Sequence, residues 1–127
     1  MSHALLWAGV SARPYNGPPR LVLEDDVQLA NGFKECCDAL IAAVEASFAP
    51  ERRQLLLYLG ADVAAWRSKR VYRVPQSCNG QQLLLREAGY VWHTSSYILW
   101  PAAARALMCC LPVGGSPDVH LSRLIWE

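Results

Sequence analysis

Apolar residues recur at three- and four-residue intervals in some stretches of the chain and run unbroken in others, and this contrast separates helices from strands. From Asn31 onward Phe33, Cys37, Leu40, Ile41 and Val44 share one helical face. They predict an amphipathic helix that reaches about Phe48 and is ended by Pro50. Leu5, Leu6, Ala8, Gly9 and Ala12 follow Ser2, a residue type suited to an N-cap, and predict a short helix that stops before Arg13-Pro14. Pro101 sits where proline is tolerated at the first helical position and opens a helix through Met108; Ser116-Pro117-Asp118 starts a last short one. Leu21-Val22-Leu23 and Leu55 to Leu59 are the unbroken runs expected of buried strands, the first central in its sheet, the second closed by Gly60. Gly89 to Leu99, rich in Tyr, Val, Trp, Thr and Ile, reads as extended. Residues 61–82 give mixed signals that end in Pro75 and a turn at Asn79-Gly80. Strands that alternate with helices predict an α/β sheet flanked by helices in one domain, residues 1–127.

Composition supports a folded chain, with 53% hydrophobic and 18% charged residues. The net charge of +1 gives no broad basic field, so a nucleic-acid partner is not expected. No apolar run approaches the roughly 20 residues that cross a bilayer, and the start lacks the basic region of a signal peptide; no transmembrane segment is expected. Five cysteines stand at Cys36-Cys37, Cys78 and Cys109-Cys110. An odd number with two adjacent pairs and no C-x-x-C spacing suggests neither a zinc knuckle nor a disulfide framework, and all five read as small buried hydrophobes.

The chemistry concentrates in Arg20 to Gln28, R-L-V-L-E-D-D-V-Q, where an apolar run meets three consecutive acids. If extension persists, Glu24 and Asp26 point to one side and Asp25 to the other. Ligands bind beyond the carboxyl ends of strands in open α/β sheets, and crowded carboxylates there repel one another. Mg²⁺ or Mn²⁺ resolves that repulsion and can clamp a diphosphate against the protein. The plainer reading is a polar turn, or a cap for the helix that follows.

Ser2-His3, Leu6-Trp7, Leu21 to Val27, Thr94 to Leu99, Ala102 to Leu107 and Pro117-Asp118, in this order, resemble glycosyltransferase family 25. That family comprises bacterial lipooligosaccharide galactosyltransferases and animal collagen β-galactosyltransferases. The resemblance implies a partial GT-A-like, Rossmann-like mixed sheet flanked by helices, a UDP-sugar donor, Mn²⁺ (or Mg²⁺), and inverting transfer, of galactose in the first instance, to a hydroxyl of a glycan or a hydroxylated protein. It implies Asp26, Asp25 and Glu24 as the metal-binding acids, with Asp26 the direct ligand and Glu24 also orienting the donor. Thr94 and Tyr97 become donor-side candidates. Asp118 becomes the candidate base that deprotonates the acceptor, with a helix-terminal acid as its alternative role. The family's chains begin well before their serine-histidine pair, so the expected domain lacks its N-terminal nucleotide-binding strands; His93 and Ser96 stand where glycine and alanine are usual. Family relatives work in the bacterial cytoplasm or the endoplasmic reticulum lumen.

Other residues have plainer readings. His3 packs or bonds locally as an alternative to touching the donor, and His93 and His120 lie at no metal-ligand spacing and read as surface or structural residues. Arg67, Lys69, Arg70 and Arg73 read as a solvated loop, with a diphosphate-binding role as the alternative. Trp66, Trp92 and Trp100 read as core, with sugar stacking as theirs. Two competing functions stand beside the transferase: a non-catalytic interaction module on the same scaffold, and a two-metal phosphoesterase, for which further ligands at readable spacings are missing.

Overall fold

A computed structural model of the chain describes residues 2–78 and 80–126, with the backbone alone at 123, 125 and 126. Helix α1 spans His3–Ser11, strand β1 Arg20–Leu23, helix α2 Phe33–Ser47, strand β2 Leu56–Cys78, strand β3 Gln81–Leu99, helix α3 Pro101–Met108 and helix α4 Pro117–Trp126, with one 3₁₀ turn at Pro50–Arg52. Ser2 is the N-cap of α1, as its type suggests, but its side chain makes no capping bond. Helix α2 begins two residues later than the Asn31 start expected from its periodicity, because Gly32 takes a left-handed conformation (φ 79) and serves as its N-cap. Its far end is closed by Arg53, whose guanidinium donates to the carbonyls of Phe48 and Glu45 at 2.9 and 3.0 Å.

The three strands form one antiparallel sheet in the order β1-β3-β2. This bears out the α/β reading, while the strand directions differ from the mixed sheet expected. β1 is an edge strand and not the central one: Leu21 and Leu23 are exposed, because α2 lies over β2 and β3 and leaves that face of β1 uncovered. The central strand is β3, and its sequence alternation divides two apolar layers. On one face Tyr97 and Leu99 meet Trp7 and Val10 of α1, Ala103 and Ala104 of α3, and Leu121 of α4. On the other, Ile98 meets Cys37 and Val44 of α2, with Leu57 and Leu59 of β2 beside it. Trp100, expected in the core, lies there; Trp66 and Trp92, read the same way, are exposed.

Residues 61–78 prove to be most of β2, which with β3 makes a long hairpin. Its pattern defeats the period-two test because six register shifts interrupt the pairing, the widest leaving residues 67–70 of β2 opposite Glu87. Gly60 does not end the strand. It lies within β2 because a side chain there would strike Ser95 Oγ, 2.4 Å from where its Cβ would stand. Gly80, with φ 73, turns the hairpin; Asn79, read as part of that turn, lies outside the described residues.

The cysteine reading needs correction. Cys36 at the start of α2 and Cys78 at the hairpin tip form a disulfide, with Cα atoms 5.4 Å apart. Cys37 is buried as expected, whereas Cys109 and Cys110 are exposed. The bridge joins one member of an adjacent pair to the isolated cysteine, a pairing that depends on the hairpin folding back over α2. Sequence spacing carries no sign of it.

Candidate functional site

Four elements bring chemically capable side chains to one place. The first turn of α1 supplies His3, the end of β1 Glu24, β3 His93 and Thr94, and the start of α4 Ser116, Pro117 and Asp118; together they line a cleft of about 290 Å³. A larger groove of about 1110 Å³ runs along the hairpin and is lined mostly by apolar residues. Neither the three consecutive acids nor Asp118 lines that groove, so the smaller cleft holds the chemistry.

Strand extension stops at Leu23, so the alternation expected through Asp26 does not hold. The Glu24 N–H donates to the Ser95 carbonyl at 3.0 Å, which ties this acid to β3 and to the cleft. Asp25 and Asp26 instead form an exposed turn, with the Val27 N–H directed at the Glu24 carbonyl at 3.5 Å. The polar-turn reading describes their geometry. Among the described residues no group of three or more His, Cys, Asp or Glu is gathered to hold an ion. Mg²⁺ or Mn²⁺ that arrives with a diphosphate needs only one or two protein carboxylates, a demand that Glu24 and the adjoining turn can meet.

Asp118 stands at the N-terminus of α4, facing the cleft. A hydrogen bond from Ser116 holds its carboxyl below the ordinary carboxylate range against an opposing push from burial, and the backbone N–H groups of His93, Val119 and Asp118 itself add to the lowering. The His93 N–H reaches Oδ2 at 3.2 Å. Asp118 is therefore a helix-terminal acid and a cleft carboxylate at once. His93 presents that N–H from a left-handed backbone (φ 50), the conformation that favours glycine.

Tyr97 is 1% exposed, and its ring belongs to the core. Trp7 Nε1–H donates to its hydroxyl at 3.1 Å, so the Tyr97 proton is free to be donated to His3 Nδ1, 2.8 Å away. The His3 and Tyr97 rings stack with centroids 5.8 Å apart. His3 thus packs and bonds within the protein, though to a residue 94 positions away and not locally, and it also lines the cleft, with Nε2 left to carry its N–H. Tyr97 bears on the cleft only through His3. Thr94 lines it directly, although buried.

Two residues beneath the site carry no sequence signal. Tyr58 pairs across the sheet with Tyr97; burial drives its phenol far above its usual range, and its buried hydroxyl finds no protein partner. Ser122 of α4 accepts the Val91 N–H at 3.0 Å and donates to the Val91 carbonyl at 3.1 Å, replacing a neighbouring strand at that point of β3. His120 is structural, as expected: its Nδ1 accepts the Gly114 N–H at 3.3 Å and its ring stacks on Trp7. Arg67, Lys69, Arg70 and Arg73 are exposed on β2 and are not among the cleft residues.

Comparison with known families gives a match over most of the chain. Residues 1–113 fit the family described as Glycosyltransferase family 25 (LPS biosynthesis protein), a span that includes every cleft residue except Ser116, Pro117 and Asp118. No curated protein and no solved structure matches the chain.

Proposed function

Because the chain belongs to glycosyltransferase family 25, a family whose chemistry joins a nucleotide-sugar donor to a glycan acceptor, we propose that its cleft is the transfer site. The donor is a UDP-sugar, with galactose the favoured sugar, and the transfer is Mn²⁺-dependent and inverting. The observation that carries this reading is the convergence of Glu24 and Asp118, distant in sequence, on one cleft with His3 and Thr94. The GT-A-type arrangement belongs to the same proposal. The α/β layering supports it and the antiparallel strand directions do not.

In this reading the acceptor oxygen attacks the anomeric carbon as the carbon–oxygen bond to the diphosphate breaks, and the acceptor proton passes to a carboxylate. Asp118 is that carboxylate. Its hydrogen bonds keep it ionised at neutral pH and fix its orientation, at the expense of basicity, so it accepts the proton late, as the new bond forms. Glu24, Asp25 and Asp26 would hold the metal, which when bound supplies positive charge for the departing diphosphate. His3, its Nδ1 engaged by Tyr97, offers Nε2–H to a donor oxygen, and Thr94 offers a hydroxyl. The acceptor is a glycan, as in lipopolysaccharide assembly, or a hydroxylated protein side chain.

Incubation with UDP-galactose, Mn²⁺ and candidate acceptors tests the reading through release of UDP. Asp118→Asn should lower the rate by at least about 100-fold, the scale of general-base catalysis. Release that is absent from the chain contradicts the proposal and favours the non-catalytic interaction module, whereas release unchanged in that variant contradicts the role of Asp118 as the base.

A further inference from the structure

The near-neutral net charge conceals a separation of charge within the chain. From Trp66 to Glu87 five cations, Arg67, Lys69, Arg70, Arg73 and Arg86, accompany a single acid, while the whole chain carries only +1. The hairpin is thus strongly basic and the remainder acidic. Glu87 is paired with Arg67 at 3.6 Å, both side chains exposed.

Register decides which side chains share a face, because residues paired across antiparallel strands point the same way. Val71 pairs with Arg86, Arg73 with Leu84, and Trp66 with Ala88, which places all six on one face of the hairpin. The opposite face packs Val74, Leu83 and Leu85 on Leu40 and Ala43 of α2. The first face remains open: Trp66 is 45% exposed, Val71 48% and Leu84 58%. Arg86 is already held there, with its guanidinium 4.5 Å from the Trp66 ring centroid and its Nε donating to the Ser68 carbonyl at 3.0 Å. The irregular segment 67–70 carries further cations, of which Arg70 lies over the ring of Tyr72 at 4.9 Å, a residue paired with Leu85 of the opposite face.

We propose that this face of the β2–β3 hairpin docks the protein on an anionic phospholipid bilayer. Phosphates complement the basic groups, and the boundary between headgroups and acyl chains accepts Trp66, Val71 and Leu84. Arginine stems lie along apolar surface while their heads reach the phosphates. A polynucleotide would match the charge but give Val71 and Leu84 nothing in which to be buried. Among the described residues no helix is long and apolar enough to cross a membrane, and the docking needs none. The inference does not depend on the glycosyltransferase reading.

The test is co-sedimentation of the full chain with vesicles of phosphatidylcholine alone and of phosphatidylcholine mixed with phosphatidylglycerol. Binding is expected only to the anionic vesicles and should weaken with added salt. Arg73→Gln combined with Arg86→Gln should reduce partitioning by roughly thirtyfold, since each basic residue near such a surface contributes about 1 kcal/mol. Leu84→Gln, at an exposed position that leaves the fold intact, should also reduce it, whereas Lys34→Gln on α2 should not. No binding to anionic vesicles, equal binding to neutral ones, binding that survives the arginine changes or is unmoved by Leu84→Gln, or binding of polyuridylate in place of vesicles would overturn the proposal.

Discussion

Ser122→Ala is the perturbation with the clearest structural consequence. The Ser122 side chain is fully buried, and its hydroxyl serves both the N–H and the carbonyl of Val91. Alanine removes both partners and leaves a void smaller than a water molecule, so solvent cannot replace them. A buried backbone group left without a partner costs about 1–3 kcal/mol; two such groups, the carbonyl being the more tolerant, give about 2–4 kcal/mol. For a chain of 127 residues the entropy of unfolding is roughly 0.27 kcal/mol per degree, so Tm should fall by about 8–15 °C. Urea unfolding should show a lower midpoint at unchanged slope, and the Val91 amide should exchange faster. Ser11→Ala, which removes only a hydroxyl bond to Ala8 within one helix, is the control and should shift stability by under about 0.5 kcal/mol. If Ser122→Ala lies within about 0.5 kcal/mol of the parent, Val91 does not depend on α4, and the attachment that carries Asp118 to the cleft has another origin.

Three further outcomes follow from single features. Replacing Cys36 and Cys78 by serine opens a loop of sequence separation 42 and should destabilise the chain by up to about 4 kcal/mol in denaturant titration, with a reductant acting the same way on the parent and not on the variant. At His93 the left-handed φ of 50 favours glycine, so His93→Gly should exceed His93→Ala in stability by about 1 kcal/mol; the reverse order would refute the strain. Asp118 has a lowered pKa in the folded state, so its stabilisation is present above the unfolded value of about 3.9 and is lost as pH falls below it. Between neutral pH and pH values under about 4, Tm of the parent should therefore drop more than that of Asp118→Asn.

Local signals made the helices and part of each of the three strands readable. The stripe from Phe33 to Val44 packs where its period requires, whereas the run Leu55 to Leu59, expected to be buried, is half-buried at the start of β2. β1 was readable as a strand but not as an edge, because Leu21-Val22-Leu23 is equally apolar whether or not α2 covers it. The hairpin was obscured by its own bulges: four residues opposite one destroy any alternation between Trp66 and Val71. In the site, Glu24 and Asp118 could be singled out as acids at a strand end and a helix start. Their sharing of a cleft with His3 depends on the β1–β3 pairing and the Ser122 bond, which are contacts between distant parts of the chain. The Trp7–Tyr97–His3 series and the Cys36–Cys78 bridge are equally non-local, and no spacing rule reaches them.

In the proposed reading the acidic segment and the cleft together bind a metal and a nucleotide diphosphate. Calorimetric titration of UDP with and without Mn²⁺ tests it most directly, with Glu24→Ala and Asp26→Ala beside the parent. Each ligand should tighten binding of the other in the parent, and both variants should lose this coupling. UDP binding indifferent to Mn²⁺, or coupling that persists in both variants, would contradict it.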